Sequence, residues 1–357
     1  MDVHRDFLIA CIAATNAQGV TEYQSRRFST YTGSLRELRD WLLANDCKDV
    51  CMESTGKYWF PVHNILEESC HVVVSHPKFV KAIKGKKTDK KDAQWIADLF
   101  KHDLVRGSFI PPKDIRQLRD LCRYWVKLSS YMTGEKNRAQ NCLTVSNFKL
   151  DDVFSNVFGK SASAITTQLL EHPGDVAPFV DGRCKTPIAQ IQEAVDGIFT
   201  YEQAEKLKII RGHMDSLERH KAELESLILE IAQNYLPQIE LLLTVPGIHD
   251  AFTAIRILAE IGADMTVFDT SKHLCSWAGL TPQNAESAGK KKTTRIGKSG
   301  AYLKPLLIQV ALAASRGEKH PEIYGKKQAL QKRRGKKKAI VAIARRLLTA
   351  IYHILSK

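Results

Sequence analysis

What this chain lacks narrows its function first. Its eight cysteines, Cys11, Cys47, Cys51, Cys70, Cys122, Cys142, Cys184 and Cys275, form no C-x-x-C pair, so neither a zinc knuckle nor a redox dithiol is indicated. Scattered in this way they read as reduced core thiols. No apolar run reaches the ~18 residues of a membrane span, and the start of the chain lacks the basic-then-apolar order of a secretory signal. The expectation is a protein that neither spans a membrane nor leaves the cytosol. Acid is also scarce relative to base: 39 Asp and Glu against 53 Lys and Arg give a net charge of +14 with His neutral. Such an excess asks for a polyanionic partner, most simply nucleic acid. With 357 residues, 44% hydrophobic and 26% charged, the chain has enough apolar material for two or three folded domains.

Periodicity supplies the organisation. The apolar run FLIACIAAT, the turn-like Asn16-Ala17-Gln18-Gly19 and the partly alternating VTEYQSRRFST predict a β-hairpin. Leu35, Leu38, Trp41 and Leu42 recur at helical spacing, with Ser34 expected as N-cap and Glu37 closing a capping box. A short strand over 49–53, a helix over 58–69 and a buried strand over 71–75 complete an α/β alternation. Residues 114–145 and 201–235 are long, charged and periodic, and read as the two arms of an antiparallel helical hairpin around a mixed segment, 146–200. After Pro237 come a short helical module, a Gly/Lys-rich loop at 285–300, a helix from Tyr302 and a basic tail. These changes set expected boundaries near 112 and 240, giving regions 1–112, 113–239 and 240–357.

Four acids could carry metal chemistry. Asp2 precedes the hairpin, Glu53 ends DVCME, and Asp89 and Asp92 lie in KTDKKDAQWIADLF, where the i, i+3 spacing puts both carboxylates on one helical face. Two divalent ions ~3.5–4 Å apart need several carboxylates converging from different elements. Glu53 sits at the carboxyl end of a buried strand, the edge where α/β sheets place their sites. Asp89 taken alone is equally well read as a helix cap.

MDVHRD, MESTGKYW and VVVSHPKFVKAIKGKKTDKKDA together resemble the N-terminal RuvC-like domain, an RNase H fold, of the DEDD transposases. That family groups certain insertion-sequence transposases with the Piv DNA invertases. The resemblance continues through IRQLRDLCRYWVKLSS, LLLTVPGIHDAFTAIRILAEIG, FDTSKHLCSWAGLTPQNAESAGKKKTTRIGKSGAYLK and GKKKAIVAIARRLL, so it covers almost the whole chain. It implies an α/β RuvC-like domain, a long coiled-coil arm and a small, mostly helical C-terminal transposase domain. Carried over residue by residue, it makes Asp2, Glu53, Asp89 and Asp92 the ligands of Mg²⁺ or Mn²⁺. Family members carry several apolar residues before the first aspartate, as a central strand. A few residues ahead of Met1 are therefore expected.

The family's catalytic serine follows an A-G-L-x-P motif, which here is AGLTP, and Ser287 in AESAGKKKTTR is the matching position, with Ala288 where glycine is usual. Ser299 and Ser276 are the alternatives. Without the resemblance, Ser287 reads as a turn former. Lys290, Lys291, Lys292, Arg295 and Lys298 could stabilise the charge of a phosphodiester transition state. Val245-Pro246-Gly247-Ile248 reads as a helix-hairpin-helix in which His249 replaces the second glycine, and phosphate contact and simple packing are equally compatible with it. The tail carries Arg333, Arg334, Lys336, Lys337 and Lys338 and no acid between 326 and 346, then continues into AIVAIARRLLTAIYHIL, as a basic-faced helix docked by its apolar side would.

The resemblance further implies a recombinase that cuts and rejoins donor and target DNA through a 5′-phosphoserine link, guided by a structured RNA from the same element. It also implies a homo-oligomer, dimer or tetramer, in a bacterial or archaeal cytosol in association with the nucleoid. Two rival expectations stand beside this one: a Holliday-junction nuclease that uses only the carboxylates and water, and a non-catalytic nucleic-acid-binding scaffold.

Overall fold

A computed structural model describes residues 1–80, 88–172, 174–282, 285–287, 290–293, 295–317 and 319–357, without the side chains of 283–294. The chain divides into two units, Met1–Ile110 and Pro111–Lys357, each described on its own below.

In the first unit, β1 (Asp2–Val3), β2 (Phe7–Thr15) and β3 (Thr21–Ser29) form an antiparallel sheet in chain order. The 16–20 turn closes because the Asn16 side-chain oxygen accepts from the Gln18 and Val20 N–H groups and Gly19 adopts φ +79°. Helix α1 (Thr32–Ala44) buries Leu35, Leu38 and Leu42. The expected capping box is corrected here. The helix begins two residues earlier than Ser34 and has no side-chain cap, because the Ser34 hydroxyl accepts from the Ser29 N–H at 3.2 Å and anchors the end of β3 instead.

Strand β4 (Asp49–Glu53), α2 (Trp59–Leu66) and β5 (His71–Ser75) make a parallel unit with Glu53 opposite Ser75. The Met1 ammonium donates to the Cys51 carbonyl at 2.7 Å, which ties the start of β1 to β4. Two short helices complete this unit, α3 (Pro77–Val80) and α4 (Asp89–Lys101). One core joins the sheets to α1 and α2 through Val3, Leu8, Ile12, Phe28, Leu38, Met52 and Leu66.

The second unit is mostly helical. Helix α5 (Lys113–Val145) is followed by α6 (Leu150–Val153), α7 (Lys160–Glu171), α8 (Ile188–Ala194) and the long α9 (Tyr201–Ala232). Trp125 donates to Glu225 at 2.6 Å while Glu135 meets His213 at 3.1 Å, so residue numbers rise along α5 as they fall along α9, and the two helices run antiparallel. Between them α6, α7 and α8 close over Leu143, Phe148, Leu150, Ile165, Ile191 and Leu207.

Helices α10 (Leu236–Leu243), α11 (Ala251–Ile261) and α12 (Ser271–Trp277) follow, then strands β6 (Ala285–Ser287) and β7 (Lys290–Thr293), and finally α13 (Leu303–Ala314), α14 (Pro321–Arg334) and α15 (Lys336–Leu355). Within the Gly/Lys-rich stretch read from composition as a loop, Ala285–Ser287 and Lys290–Thr293 thus form an antiparallel ladder that pairs Ser287 with Lys290. The turn between α10 and α11 is built for close packing. Gly247 sits at φ +89°, and a Cβ there would lie 2.3 Å from the Val310 carbonyl oxygen. At the start of α11 the Asp250 carboxylate accepts from the Thr253 N–H at 2.7 Å, an anionic cap where a bound phosphate would otherwise sit.

Helix α15 buries Ala339, Ile343, Ala344, Leu347, Leu348 and Ile351, whereas α14 buries no residue. Gly335, at φ +81°, breaks the two apart. All eight cysteines are free, five of them buried. No helix among the described residues is long and apolar enough to cross a membrane.

Candidate active site

Asp2 and His4 flank Val3 in extended chain, and such i, i+2 side chains fall on one face. On that face His4 Nε2 lies 3.2 Å from Asp2 Oδ2 and 3.7 Å from Asp89 Oδ1. Asp2, His4 and Asp89 each offer a donor atom, all within 4.8 Å of one another. Asp89 reaches this place because α4 is capped by another residue. The Thr88 hydroxyl accepts from the Lys91 N–H at 3.3 Å, and Asp89 and Asp92 occupy the first turn.

Asp2 is only 9% exposed. Burial first, and then the facing Asp92 and Asp89 carboxylates, push its carboxyl above the usual carboxylate range, with His4 opposing them. Glu53 stands apart from the group of three. It ends β4, half-buried, and its carboxylate accepts from the Thr55 hydroxyl at 3.0 Å. The donor set is carboxylate-rich, comes from two elements nearly ninety residues apart, and crowds like charges around a buried aspartate. That chemistry fits a hard divalent cation. His4 was not singled out from the sequence, although the Asp-x-His alternation was its signal.

In the second unit the serine candidates separate. Ser287 lies in β6 opposite Lys290, and its side chain, like those of Lys290, Lys291 and Lys292, is outside the described residues. Ser276 and Ser299 are exposed, and the Ser299 carbonyl accepts from Lys304 at 2.9 Å where the chain crosses tightly over Gly279. Arg295 and Lys298 are exposed, as are Arg333, Arg334, Lys336, Lys337 and Lys338. The three lysines open α15 with no side chain capping that end. Cations at a helix N-terminus are disfavoured by ~0.3–1 kcal/mol each, an imbalance that an anion such as phosphate would reverse.

The root of α5 is held differently. Arg123 grips the buried Glu260 carboxylate with two bonds of 2.7 and 2.8 Å, and Arg119 donates to the Ala259 and Glu260 carbonyls that end α11. Burial pulls Arg119 down to about 10. Arg123 also lies over the Tyr302 ring at 4.8 Å.

The first unit thus brings acids together from separate elements, and the helical second unit ends in exposed cations. The model for DEDD transposases of the IS110 kind matches residues 1–147, and the model described as the transposase IS116/IS110/IS902 family matches residues 239–325. The two matches stand in order and together take in more than half of the chain, which belongs to this transposase family. Among curated proteins it is similar to the pilin gene-inverting proteins of Moraxella bovis and Moraxella lacunata. Each is 38% identical over 117 residues, which is 32% of this chain and 36% of the relative. The matched stretch thus spans about a third of those relatives' length.

Proposed function

We propose that the protein is a DNA recombinase of the transposase type, cutting and rejoining strands at donor and target sites. The observation that carries the reading is the carboxylate crowd around buried Asp2, which has a second aspartate, Asp89, within ligand distance and a third, Asp92, close enough to raise its carboxyl. Asp2, Asp89, Asp92 and Glu53 would hold divalent metal, Mg²⁺ or Mn²⁺. When bound, such an ion polarises the scissile phosphate and offsets charge developing on the leaving oxygen.

Ser287 is the proposed nucleophile. Its Oγ attacks phosphorus, the bond from phosphorus to the 3′ oxygen breaks, and the hydroxyl proton ends on that oxygen. The products are a 3′-hydroxyl and a 5′-phosphoserine ester. Attack of another strand's 3′-hydroxyl on the ester reverses the step and frees Ser287. Water as nucleophile would leave no protein–DNA ester, and joining would then have to consume an intact phosphodiester of another strand. Lys290, Lys291, Lys292, Arg295 and Lys298 would neutralise the phosphate under attack.

The uncapped, lysine-rich start of α15 and the exposed cations of α14 favour phosphate backbone contact with DNA or with a structured guide RNA, where base pairing reads sequence and the protein reads shape. Self-association, as dimer or tetramer, is supported by apolar side chains left on the outside of the long helices: Tyr124, Tyr131, Ile209, Leu227 and Leu229 are each more than 40% exposed. The family also implies a nucleoid-associated protein of a bacterial or archaeal cytosol.

The test is a denaturing gel of end-labelled donor DNA with wild type and Ser287→Ala, in the presence of the element's flanking RNA. A protease-sensitive slow band with wild type alone supports the reading. Nicking by Ser287→Ala at the wild-type rate would instead indicate a metal-dependent junction nuclease. No cleavage by any form, with intact binding, would indicate a scaffold.

A further inference from the structure

We propose that His4 is a nitrogen ligand of the divalent ion held by Asp2 and Asp89, and that this nitrogen biases the site from Mg²⁺ toward first-row transition ions, Mn²⁺ first among them. The inference rests on the reading of these carboxylates as metal ligands and adds to it a donor of a different kind.

Two separations carry it. Neighbouring donors around an octahedral ion at ~2.1 Å stand ~3 Å apart, and His4 Nε2 is 3.2 Å from Asp2 Oδ2 and 3.7 Å from Asp89 Oδ1. The same nitrogen therefore faces both carboxylates at about the distance a shared ion sets. The ring is also held in place. The His4 backbone N–H donates to the Phe7 carbonyl at 2.9 Å, which fixes the main chain beneath the ring, and the imidazole packs tilted against the Phe7 ring with centroids 4.7 Å apart. This packing aims Nε2 at the acids, so little ordering is left for ion binding to impose.

The charge balance points the same way. Asp89 and Asp92 already repel the charged form of Asp2, and a further carboxylate would add to that repulsion. Neutral imidazole adds a donor and no negative charge. It is a borderline ligand: Mg²⁺ prefers an all-oxygen shell, whereas transition ions accept nitrogen readily, and Mn²⁺ does so while keeping a preference for carboxylate. No other histidine among the described residues joins this group.

The experiment uses the full-length chain and Mn²⁺ itself. Pulsed electron paramagnetic resonance of the Mn²⁺-loaded protein should show coupling to a directly bound ¹⁴N, replaced by a ¹⁵N pattern when the protein is grown on ¹⁵N-histidine. In His4→Gln the coupling should vanish. Mn²⁺ affinity should then fall by about tenfold or more and Mg²⁺ affinity by less than about threefold. An all-oxygen Mn²⁺ shell in the wild type, or equal losses for the two ions, overturns the role of His4 and leaves the carboxylate site standing. Failure of Mn²⁺ to bind wild type, or unaltered binding to Asp2→Asn and Asp89→Asn, overturns the carboxylate reading itself. Should His4→Gln not fold, the isotope experiment on wild type still decides whether a histidine is bound.

Discussion

Each unit of this protein buries a carboxylate, and the two keep opposite company. Asp2, 9% exposed, faces two more aspartates and an imidazole; Glu260, 6% exposed, is clasped by the Arg123 guanidinium through two short bonds. The second arrangement is self-contained: the guanidinium offsets the charge and satisfies the oxygens, which locks α5 to α11. The first is offset only in part, by the His4 imidazole at 3.2 Å, and the carboxyl still stays above its usual range. A buried aspartate among like charges is retained where something outside the polypeptide offsets the repulsion, so the pairing state of a buried acid separates a structural joint from a candidate site.

The largest expected effect follows from the crowded acid. Asp2→Asn or Asp92→Asn should lower strand cleavage by about a thousandfold or more, equivalent to ~4 kcal/mol of transition-state stabilisation, while the melting temperature stays level or rises because one repelling charge is gone. Cleavage within about tenfold of wild type would remove these residues from the site. Next in size is Glu260→Gln, which should destabilise the chain by ~3 kcal/mol in urea unfolding, since it takes the counter-charge from the half-buried Arg123 and Arg119 at the joint of α5 and α11. A loss below ~1 kcal/mol would show that the joint is replaceable by water.

A saturating divalent ion comes third. Mn²⁺ at a hundred times its dissociation constant should stabilise wild type by ~2.7 kcal/mol and the doubly substituted Asp2→Asn, Asp89→Asn chain by almost nothing, measured as a shift in melting temperature. Equal shifts in both chains would place ion binding elsewhere.

The smallest effect is one of pH. Because the folded chain holds the Asp2 carboxyl above its unfolded value of ~3.9, the folded state binds more protons in the window just above that value, and stability falls as pH rises through it. In metal-free buffer the wild type should lose stability across that window and Asp2→Asn should lose less, as read from melting curves. Parallel curves would mean that the crowding is relieved by local rearrangement.

The candidate acids also show which inferences local pattern permits. Asp89 and Asp92 share a turn of α4, as their i, i+3 spacing requires of any helix, and the β2–β3 hairpin and the buried face of α15 follow from period-two and helical patterns. Three local readings went astray. Ser34 looks like a cap because a serine before an apolar periodic run usually is one, but its hydroxyl is taken by the Ser29 N–H. The glycines and lysines of 285–300 depress strand propensity, yet Ala285–Ser287 and Lys290–Thr293 within it pair as β6 and β7. The basic tail, read as one helix, breaks at Gly335, which marks a helix end only once its positive φ is known.

By itself the sequence determined the net charge, the absence of paired cysteines and long apolar runs, the alternation of elements and the order of the family motifs, because all of these are properties of neighbours along the chain. Tertiary structure alone decided that Asp2 and Asp89 meet, that His4 points between them, and that Arg123 finds Glu260 across 137 positions. The physical reason is the same in each case. A carboxylate's role is set by the charges that face it through space, and at these separations in sequence the packing of β1 against α4, or of α5 against α11, chooses those charges.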